Sequence, residues 1–224
     1  MTPQCSKKSF LPHWNGDVYT KYAARFYNAV TTASGWQGNL SQHALTGLTP
    51  CKLLDVGCGT GYLLNIALQE KYDAMGIDAS SGMLDKAAEL YDIDKERLLF
   101  TTADQLPFED HSFDVTIASG SLVHIPNIEA SAKEMARITK PGGLIRVIDH
   151  AKPKDVNLFT LPVTLFSQLS GDILHSYEEI FGAHCTLESR TTLARGGFMQ
   201  RFDFRTPSAP SNSAFKAGRT SLKH

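Results

Sequence analysis

The chain has 224 residues, of which 42% are hydrophobic and 20% are charged. These values are typical of an ordinary globular protein and exclude a fibrous repeat or a wholly disordered chain. Because Lys and Arg number 22 against 23 Asp and Glu, the charge also argues against general nucleic-acid binding, which needs an excess of cationic side chains.

The first 50 residues contain no apolar run of signal-peptide length, and no stretch of about 18 apolar residues occurs anywhere, so we expect a cytoplasmic protein. Aromatic and apolar residues recur at helical spacing in residues 18–30 and predict an amphipathic helix outside any sheet. The four cysteines lack the CxxC spacing of a metal site, so we expect reduced thiols and no bound metal: they are Cys5, Cys51, Cys58 and Cys185.

Short apolar runs then alternate with helical segments, which is the pattern of a parallel sheet with helices on both faces. Five buried strands are predicted, at residues 52–56, 74–77, 98–101, 113–118 and 144–148. Three helices are predicted between them, at residues 62–69, 81–90 and 129–139. Ser80 or Ser81 is suited to cap the second helix, and Pro141-Gly142 is expected to end the third.

The sequence of the last third of the chain predicts a different arrangement. A short helix at residues 176–181 precedes two β-like runs, 185–192 and 198–204, which are separated by the turn-forming residues 195–197. An antiparallel hairpin would therefore close the sheet.

We predict an α/β fold with a doubly wound, seven-stranded, mostly parallel sheet in a single domain over residues 1–206. That domain would comprise an N-terminal helical segment (1–50), a central core (51–150) and a closing segment (151–206). Residues 207–224 would form a flexible tail.

The stretch LLDVGCGTG places three glycines, Gly57, Gly59 and Gly61, at the turn from the first strand into the first helix of the sheet. Open α/β sheets bind ligands at such turns. The spacing is G-x-G-x-G, whereas the dinucleotide fingerprint would need a small residue at Tyr62, and no Lys-Ser or Lys-Thr follows to form a P-loop. A tight structural turn is the alternative interpretation.

Two acidic residues favour a ligand. Asp78 ends the second strand, where its carboxylate could accept both hydroxyls of a ribose. Asp104 follows the third strand, where an adenine would lie beside that ribose. Three strand ends therefore converge on one nucleoside.

Five segments together give the sequence a family resemblance: LLDVGCGTG, GIDAS, ADQLPFEDHSFDVTIAS, LVHIPN and EMARITKPGG. Over roughly residues 53–148 the chain resembles the class I S-adenosylmethionine-dependent methyltransferases, specifically the small-molecule group often called methyltransferase type 11. The resemblance implies a Rossmann-like fold, S-adenosyl-L-methionine as the cofactor and a small-molecule acceptor.

The resemblance also implies roles for individual residues. The methionine part of the cofactor would be held by Asp55, Gly57, Gly59 and Gly61. Asp78 would hold the ribose, with Ala79 and Met83 beside it. Ala103, Asp104 and Gln105 would flank the adenine, while Ser119 and Gly120 would pass the sulfonium.

Two histidines are candidate general bases, because a neutral imidazole accepts a proton near pH 7. His124 follows the fourth strand, and His150 follows the fifth beside Asp149. Alternatively, His124 shapes the pocket wall and Asp149-His150 is a solvated pair. Methyl transfer can also proceed by alignment alone, without a base.

The acceptor side is less defined. Tyr19, Tyr22 and Tyr27 lie in a segment that resembles the family's substrate-covering N-terminal lid, although a helix packed on the sheet would show the same pattern. The apolar residues of 156–169 suit an apolar or amphiphilic acceptor, or equally a core helix.

We therefore expect O- or N-methylation of a small molecule by in-line transfer. The alternatives are a quinone or phospholipid-headgroup methyltransferase in peripheral contact with a membrane, and a cofactor-binding protein without turnover. Tyr62, which stands where the dinucleotide fingerprint needs a small residue, disfavours an NAD oxidoreductase.

Overall fold

A computed structural model describes residues 36–125, 127–150, 174–193 and 199–208. The strands are β1 (Lys52–Val56), β2 (Asp73–Asp78), β3 (Leu98–Phe100), β4 (Phe113–Ser119), β5 (Thr139–His150), β6 (Thr186–Thr192) and β7 (Met199–Arg205). The helices are α1 (Trp36–Leu45), α2 (Tyr62–Gln69), α3 (Ser81–Tyr91), α4 (Ile128–Ile138) and α5 (Tyr177–Gly182), with short 3-10 helices at Lys95–Arg97 and Leu122–His124.

All seven strands form one sheet in the order β3-β2-β1-β4-β5-β7-β6. Neighbouring strands from β3 to β5 are parallel, whereas β7 pairs antiparallel with both β5 and β6. The predicted doubly wound α/β sheet with a closing antiparallel hairpin is confirmed. The strand order reverses between β1 and β4, and this switch point opens a crevice at the carboxyl ends of the strands.

The central strands β1 and β4 are buried on both faces because they are apolar on both. Leu54 and Val56 of β1 face a core cluster that includes residues of α4 and α5, while Leu53 faces a second cluster formed with α1, α2 and α3. Side chains alternate along a strand, so Asp55 points to the same face as Leu53. A carboxylate therefore lies on an otherwise apolar face.

Most predicted boundaries are confirmed to within two residues. Strand β1 and helix α2 have the predicted bounds. Of the two candidate caps of α3, Ser80 is the one used, because its hydroxyl accepts a hydrogen bond from the Met83 amide at 3.3 Å.

The prediction that Pro141-Gly142 ends the third helix was wrong. Helix α4 ends at Ile138, and Thr139 already pairs with Phe113 in β5. The buried Thr139 hydroxyl lies 2.6 Å from both the Thr116 hydroxyl and the Met135 carbonyl oxygen, which holds the chain in the sheet before the proline. The pairing register then shifts, so Pro141-Gly142 lies in an irregular part of β5.

Several predictions lie outside the described residues: the helix at 18–30, the apolar run at 156–169, the turn at 195–197 and all but the first two residues of the tail. Helix α1 was not predicted. In the described part of the chain, no helix combines the length and the apolar character needed to cross a membrane.

Candidate functional site

A cleft opens at the switch point of the sheet, between the loop after β1, the end of β4 and helix α1. Its lining comprises Leu40, Ser41, Asp55, Gly57, Cys58, Gly59, Thr60, Tyr62, Leu63, Ser119 and Gly120. Five of the predicted site residues therefore meet in one place: Asp55, Gly57, Gly59, Ser119 and Gly120. Because this set contains two acidic or thiol side chains and no Lys, Arg or His, the cleft favours a neutral or cationic group over an anion.

Glycine is present at the three loop positions for different structural reasons. A Cβ on Gly57 would lie 2.4 Å from the Cβ of Ser121, and one on Gly61 would lie 2.7 Å from the Cβ of Ala87. Both positions therefore need glycine because protein atoms approach closely. No atom of the described residues lies within 4 Å of the Cβ position of Gly59, although Gly59 lines the cleft. Gly59 is thus the glycine of the loop whose bare backbone faces open space.

The backbone amides of the loop are turned toward strand β2. The amides of Gly57 and Cys58 both donate to the Ile77 carbonyl oxygen at 2.8 Å, and the Gly59 amide donates to Asp78 Oδ2 at 2.9 Å. A phosphate-binding loop keeps such amides for its ligand. Their engagement here agrees with the sequence-based argument against a P-loop.

Asp55 is buried at the base of the cleft. Its carboxyl is 2% exposed, and its Oδ2 atom has no hydrogen-bond partner among the described residues. Burial, together with the nearby charge of Asp78, raises the pKa of Asp55 from 3.8 to about 7. A buried oxygen of this kind costs free energy unless a ligand supplies a donor or a positive charge.

Asp78 holds the loop and the following turn together. Its Oδ2 accepts the Gly59 amide, and its Oδ1 accepts the Ser80 amide at 2.8 Å. Burial raises the pKa of Asp78 above its ordinary value, although these two amides lower it. Each carboxylate oxygen has a second lone pair, so both can also accept a ligand hydroxyl.

Next to Asp78, Ala79 is exposed and Met83 is buried. The loop after β3, which carries the predicted adenine-flanking residues, begins beside Asp78, because the Thr101 amide donates to the Asp78 carbonyl oxygen at 3.2 Å. Within this loop Ala103 is buried, Asp104 is half-buried and Gln105 is exposed.

Arg137 of α4 fixes the far side of this loop. Its guanidinium donates to the carbonyl oxygens of Leu106 and Phe108, at 2.9 and 2.7 Å, and to the carboxylates of Glu134 and Asp110. Glu134 in turn accepts the Leu106 amide at 3.1 Å. The EMARITKPGG segment therefore holds the loop after β3 in place, a role that its sequence did not reveal.

Beyond β4, Asp149 organises the turn that contains His124. The carboxylate is buried and accepts the amides of Leu122, at 2.8 Å, and Val123, at 3.3 Å, as well as the amide of His150 at 2.8 Å. Burial raises the pKa of Asp149 to about 6. These bonds tie the end of β5 to the 3-10 helix after β4, so Asp149 supports the backbone that carries both candidate histidines.

Helix α1 supplies two lining residues, Leu40 and Ser41, that the sequence did not predict. The segment WQGNLSQHAL has no clear apolar stripe, and its helical face is decided by packing against the sheet. The predicted substrate-binding residues Tyr19, Tyr22 and Tyr27 lie outside the described residues.

The sequence model of a family described as "Methyltransferase domain" matches residues 54–147, the span that contains β1 to β5 apart from their outermost residues. Over these residues the chain is therefore similar to a methyltransferase domain. The observed sheet has the Rossmann-like arrangement that the sequence predicts.

A demethylmenaquinone methyltransferase of Staphylococcus aureus (strain MRSA252) is 35% identical over 135 residues, which cover 58% of this chain and 53% of the relative. The match thus spans about half the length of that curated relative.

Two solved structures have the same fold. A putative methyltransferase in complex with the Haloferax volcanii Trm112 methyltransferase activator has a TM-score of 0.67 and 20% identity, and the match covers 84% of this chain and 97% of that chain. The phosphoethanolamine N-methyltransferase 2 of Haemonchus contortus, in complex with S-adenosyl-L-methionine, has a TM-score of 0.65 and 17% identity, with 85% of this chain and 58% of that chain covered.

We predict that Gly59→Ala lowers cofactor affinity while the protein still folds, because the new methyl group enters the open space of the cleft. Gly59 has a φ of +54°, so alanine also costs about 1 kcal/mol of backbone strain. Gly47→Ala is the matched control, since Gly47 has a φ of +76°, open space at its Cβ and no place in the cleft lining.

Thermal unfolding and calorimetry with S-adenosylhomocysteine check this prediction. Both variants should lose similar stability, and Gly59→Ala alone should lose affinity. Equal affinities in the two variants would mean that Gly59 serves only the turn.

We predict that Asp55→Asn stabilises the unliganded protein and weakens cofactor binding. The carboxyl is harder to ionise in the folded state (pKa about 7) than in the unfolded state (3.8). Ionisation therefore reduces the stability of the native protein as pH rises from about 4 to about 7, and asparagine removes that loss. The gain in unfolding free energy should increase over this range and stay constant above it.

Denaturant unfolding at about pH 5 and about pH 8 measures the gain. Asp114→Asn is the control of opposite sign, because Lys140 lowers the pKa of Asp114, so its loss should destabilise the protein at both pH values. An Asp55→Asn protein less stable than the wild type at the higher pH would contradict a ligand-directed role for Asp55.

Proposed function

We propose that this protein transfers a methyl group in line from S-adenosyl-L-methionine to a small-molecule acceptor. The observation that carries the proposal is the buried Asp55 Oδ2 atom. Within the described structure this atom lacks a hydrogen-bond partner and lies at the base of a cleft whose lining includes no cationic side chain. Such an atom suits a cationic ligand and opposes a phosphate.

The amino-acid tail of S-adenosyl-L-methionine carries a carboxylate as well as a cationic ammonium group. That carboxylate also has a suitable partner. Helix α2 begins at Tyr62 after Gly61, and no side chain caps its N-terminus. The positive end of the helix dipole and the first amides of α2 therefore suit a carboxylate, while Asp55 suits an ammonium or sulfonium group. A zwitterionic tail beside a nucleoside fits this pair of features better than a nucleotide does.

The same residues account for the nucleoside. Asp78 would accept the ribose hydroxyls on the lone pairs left by the Gly59 and Ser80 amides, with Ala79 and Met83 alongside. Ala103, Asp104 and Gln105, on the loop held by Arg137, would flank the adenine. Gly57 and Gly61 would shape the loop, and Ser119 and Gly120 would border the sulfonium.

When bound, the cofactor supplies a methyl group activated by its sulfonium. The protein would then align the acceptor and remove a proton where the nucleophile carries one. His124 and His150 are the candidates for that proton, since both belong to the backbone segments joined by Asp149. Tyr19, Tyr22 and Tyr27 stay candidates for contacts with the acceptor.

Among small-molecule acceptors we favour a quinone. The relative at 35% identity is named a demethylmenaquinone methyltransferase, and the apolar sequence of residues 156–169 suits an apolar acceptor reached at a membrane surface.

The test of the function is methyl transfer from labelled S-adenosyl-L-methionine to a pool of metabolites, read by mass spectrometry, with demethylmenaquinone in detergent as one defined acceptor. Transfer to demethylmenaquinone would support the quinone, and transfer to another metabolite would keep the activity but reject the quinone. Cofactor binding without transfer to any acceptor would indicate a binding protein without turnover. Flotation with liposomes tests the membrane contact separately.

We predict that Asp78→Ala weakens S-adenosylhomocysteine binding by roughly 1.5 to 3 kcal/mol, the range for hydrogen bonds to a charged group. Because Asp78 also holds Gly59 and Ser80, the decisive comparison uses a 2′-deoxy analogue of the ligand. Calorimetry should show that removal of the hydroxyl weakens binding to the wild type but not to Asp78→Ala. An equal loss in both proteins would place the ribose elsewhere.

We predict that if the acceptor must lose a proton, replacing the true base, His124 or His150, by alanine lowers single-turnover methyl transfer by about 10² or more. Cofactor affinity should hardly change, and the acidic limb of the pH-rate profile should disappear. If neither variant slows transfer by more than a few-fold, alignment alone drives the reaction and both histidines belong to the pocket wall.

A further inference from the structure

Arg146 is an unusual residue in the core of the sheet. It lies in the middle of β5 on the same face as Leu144 and Ile148, which belong to the apolar cluster beneath α1 and α2, and it is only 4% exposed. A buried guanidinium needs partners for its donors, because an unpaired buried charge is strongly destabilising.

Two kinds of partner satisfy Arg146. Its Nε and Nη2 atoms donate to the two carboxylate oxygens of Asp203 on β7, at 2.7 and 3.0 Å. Its Nη1 atom donates to the carbonyl oxygens of Ala44, at 2.8 Å, and Thr46, at 2.9 Å. Arg146 therefore joins β5 and β7 to the carboxyl end of α1.

The end of α1 is a favourable place for this cation. The last carbonyl groups of a helix have no partner within it and carry the negative end of the helix dipole. Arg201 of β7 adds a second cation, since its Nη1 atom donates to the His43 carbonyl oxygen at 3.5 Å and its Nε atom lies 3.6 Å from Asp203. Three residues of the sheet thus form a charged cluster at one helix end.

The preceding turn of this helix borders the cleft. Ala44 is one helical turn after Leu40 and Ser41, the α1 residues that line the cleft. The Cδ1 atom of Leu40 lies 3.6 Å from the Cβ position of Gly120, another lining residue, so the two are in van der Waals contact. The position of α1 along the sheet therefore decides where Leu40 and Ser41 lie in the wall of the cleft.

Stability alone does not explain the ion pair. Well-packed apolar residues often replace a buried ion pair with no loss of stability, whereas a bidentate pair with two further carbonyl partners defines a specific geometry. We propose that Arg146 and Asp203 are positioning residues that hold α1 as a wall of the cofactor cleft and so raise the affinity for S-adenosylmethionine. This inference rests on the proposed function of the cleft.

The test is the double variant Arg146→Met/Asp203→Leu, which removes both charges of the bidentate pair together. Arg201, whose side chain is 17% exposed, loses Asp203 but keeps its bond to the His43 carbonyl oxygen. The matched control is Arg205→Met/Glu188→Leu, because Arg205 also forms a bidentate pair across the β6-β7 hairpin, at 2.9 and 2.7 Å, and also donates to a carbonyl oxygen, that of Gly142. Neither Arg205 nor Glu188 contacts α1 or lines the cleft in the described structure.

Two readouts are measured on the full chain: the dissociation constant of S-adenosylhomocysteine, and hydrogen exchange in α1. The Arg146→Met/Asp203→Leu variant should keep its unfolding midpoint near the wild-type value and bind the ligand about fivefold or more weakly. Compared with the wild type, its amides should exchange faster in α1, with little change in β1 and β4. The control variant should resemble the wild type in both readouts.

Affinity within about twofold of the wild type, or unchanged protection of α1, would overturn the proposal. If the double variant does not fold, Arg146→Lys replaces it, because lysine keeps the charge but cannot bridge Asp203 and both carbonyl groups; the same outcomes apply. Failure of the wild type to bind S-adenosylhomocysteine would instead contradict the proposed function, while hydrogen exchange would still test whether the pair holds α1.

Discussion

The constraint on which the site depends is the placement of two carboxylates, Asp55 and Asp78, at the ends of adjacent parallel strands. Burial raises the pKa of both groups, and the nearby charge of Asp78 raises the pKa of Asp55 further. Asp78 is compensated by two backbone amides, whereas Asp55 keeps an oxygen without a partner in the described structure. Burial of the Asp55 carboxylate therefore costs free energy, and a cationic ligand can offset that cost. Such perturbed groups are common in binding sites.

The loop after β1 makes the site selective against phosphate-bearing ligands. Gly57 and Gly61 permit close packing against Ser121 and Ala87, and the loop amides bond to the end of β2. Of the three loop glycines, Gly59 is the one with no described atom within 4 Å of its Cβ position. A loop that uses its amides internally cannot cradle a pyrophosphate, so the distinction between a dinucleotide and S-adenosylmethionine follows from hydrogen bonding as well as from the bulk of Tyr62.

Much of this arrangement could be predicted from the sequence, because buried parallel strands and glycine loops have strong local patterns. Strand β1, helix α2 and the cap at Ser80 are examples. The start of β5 could not be predicted, since buried hydroxyl contacts of Thr139 outweigh the helix-stop and turn signals of Pro141-Gly142. The contacts of α1 with Arg146, and of Arg137 with the loop after β3, could not be predicted either. They join residues about 30 to 100 positions apart, and local sequence patterns carry no information at that range.

The most direct measurement is competition calorimetry at the cleft with four ligands: S-adenosylmethionine, S-adenosylhomocysteine, NAD and ATP. An acidic cleft with no cationic side chain among its described lining residues predicts that both S-adenosyl ligands bind, that the Asp55→Asn variant loses affinity for both because each carries the ammonium group, and that the two phosphate-bearing ligands do not compete. Binding of NAD or ATP in place of the S-adenosyl ligands, or unchanged affinity of Asp55→Asn for both S-adenosyl ligands, would contradict this account of the site.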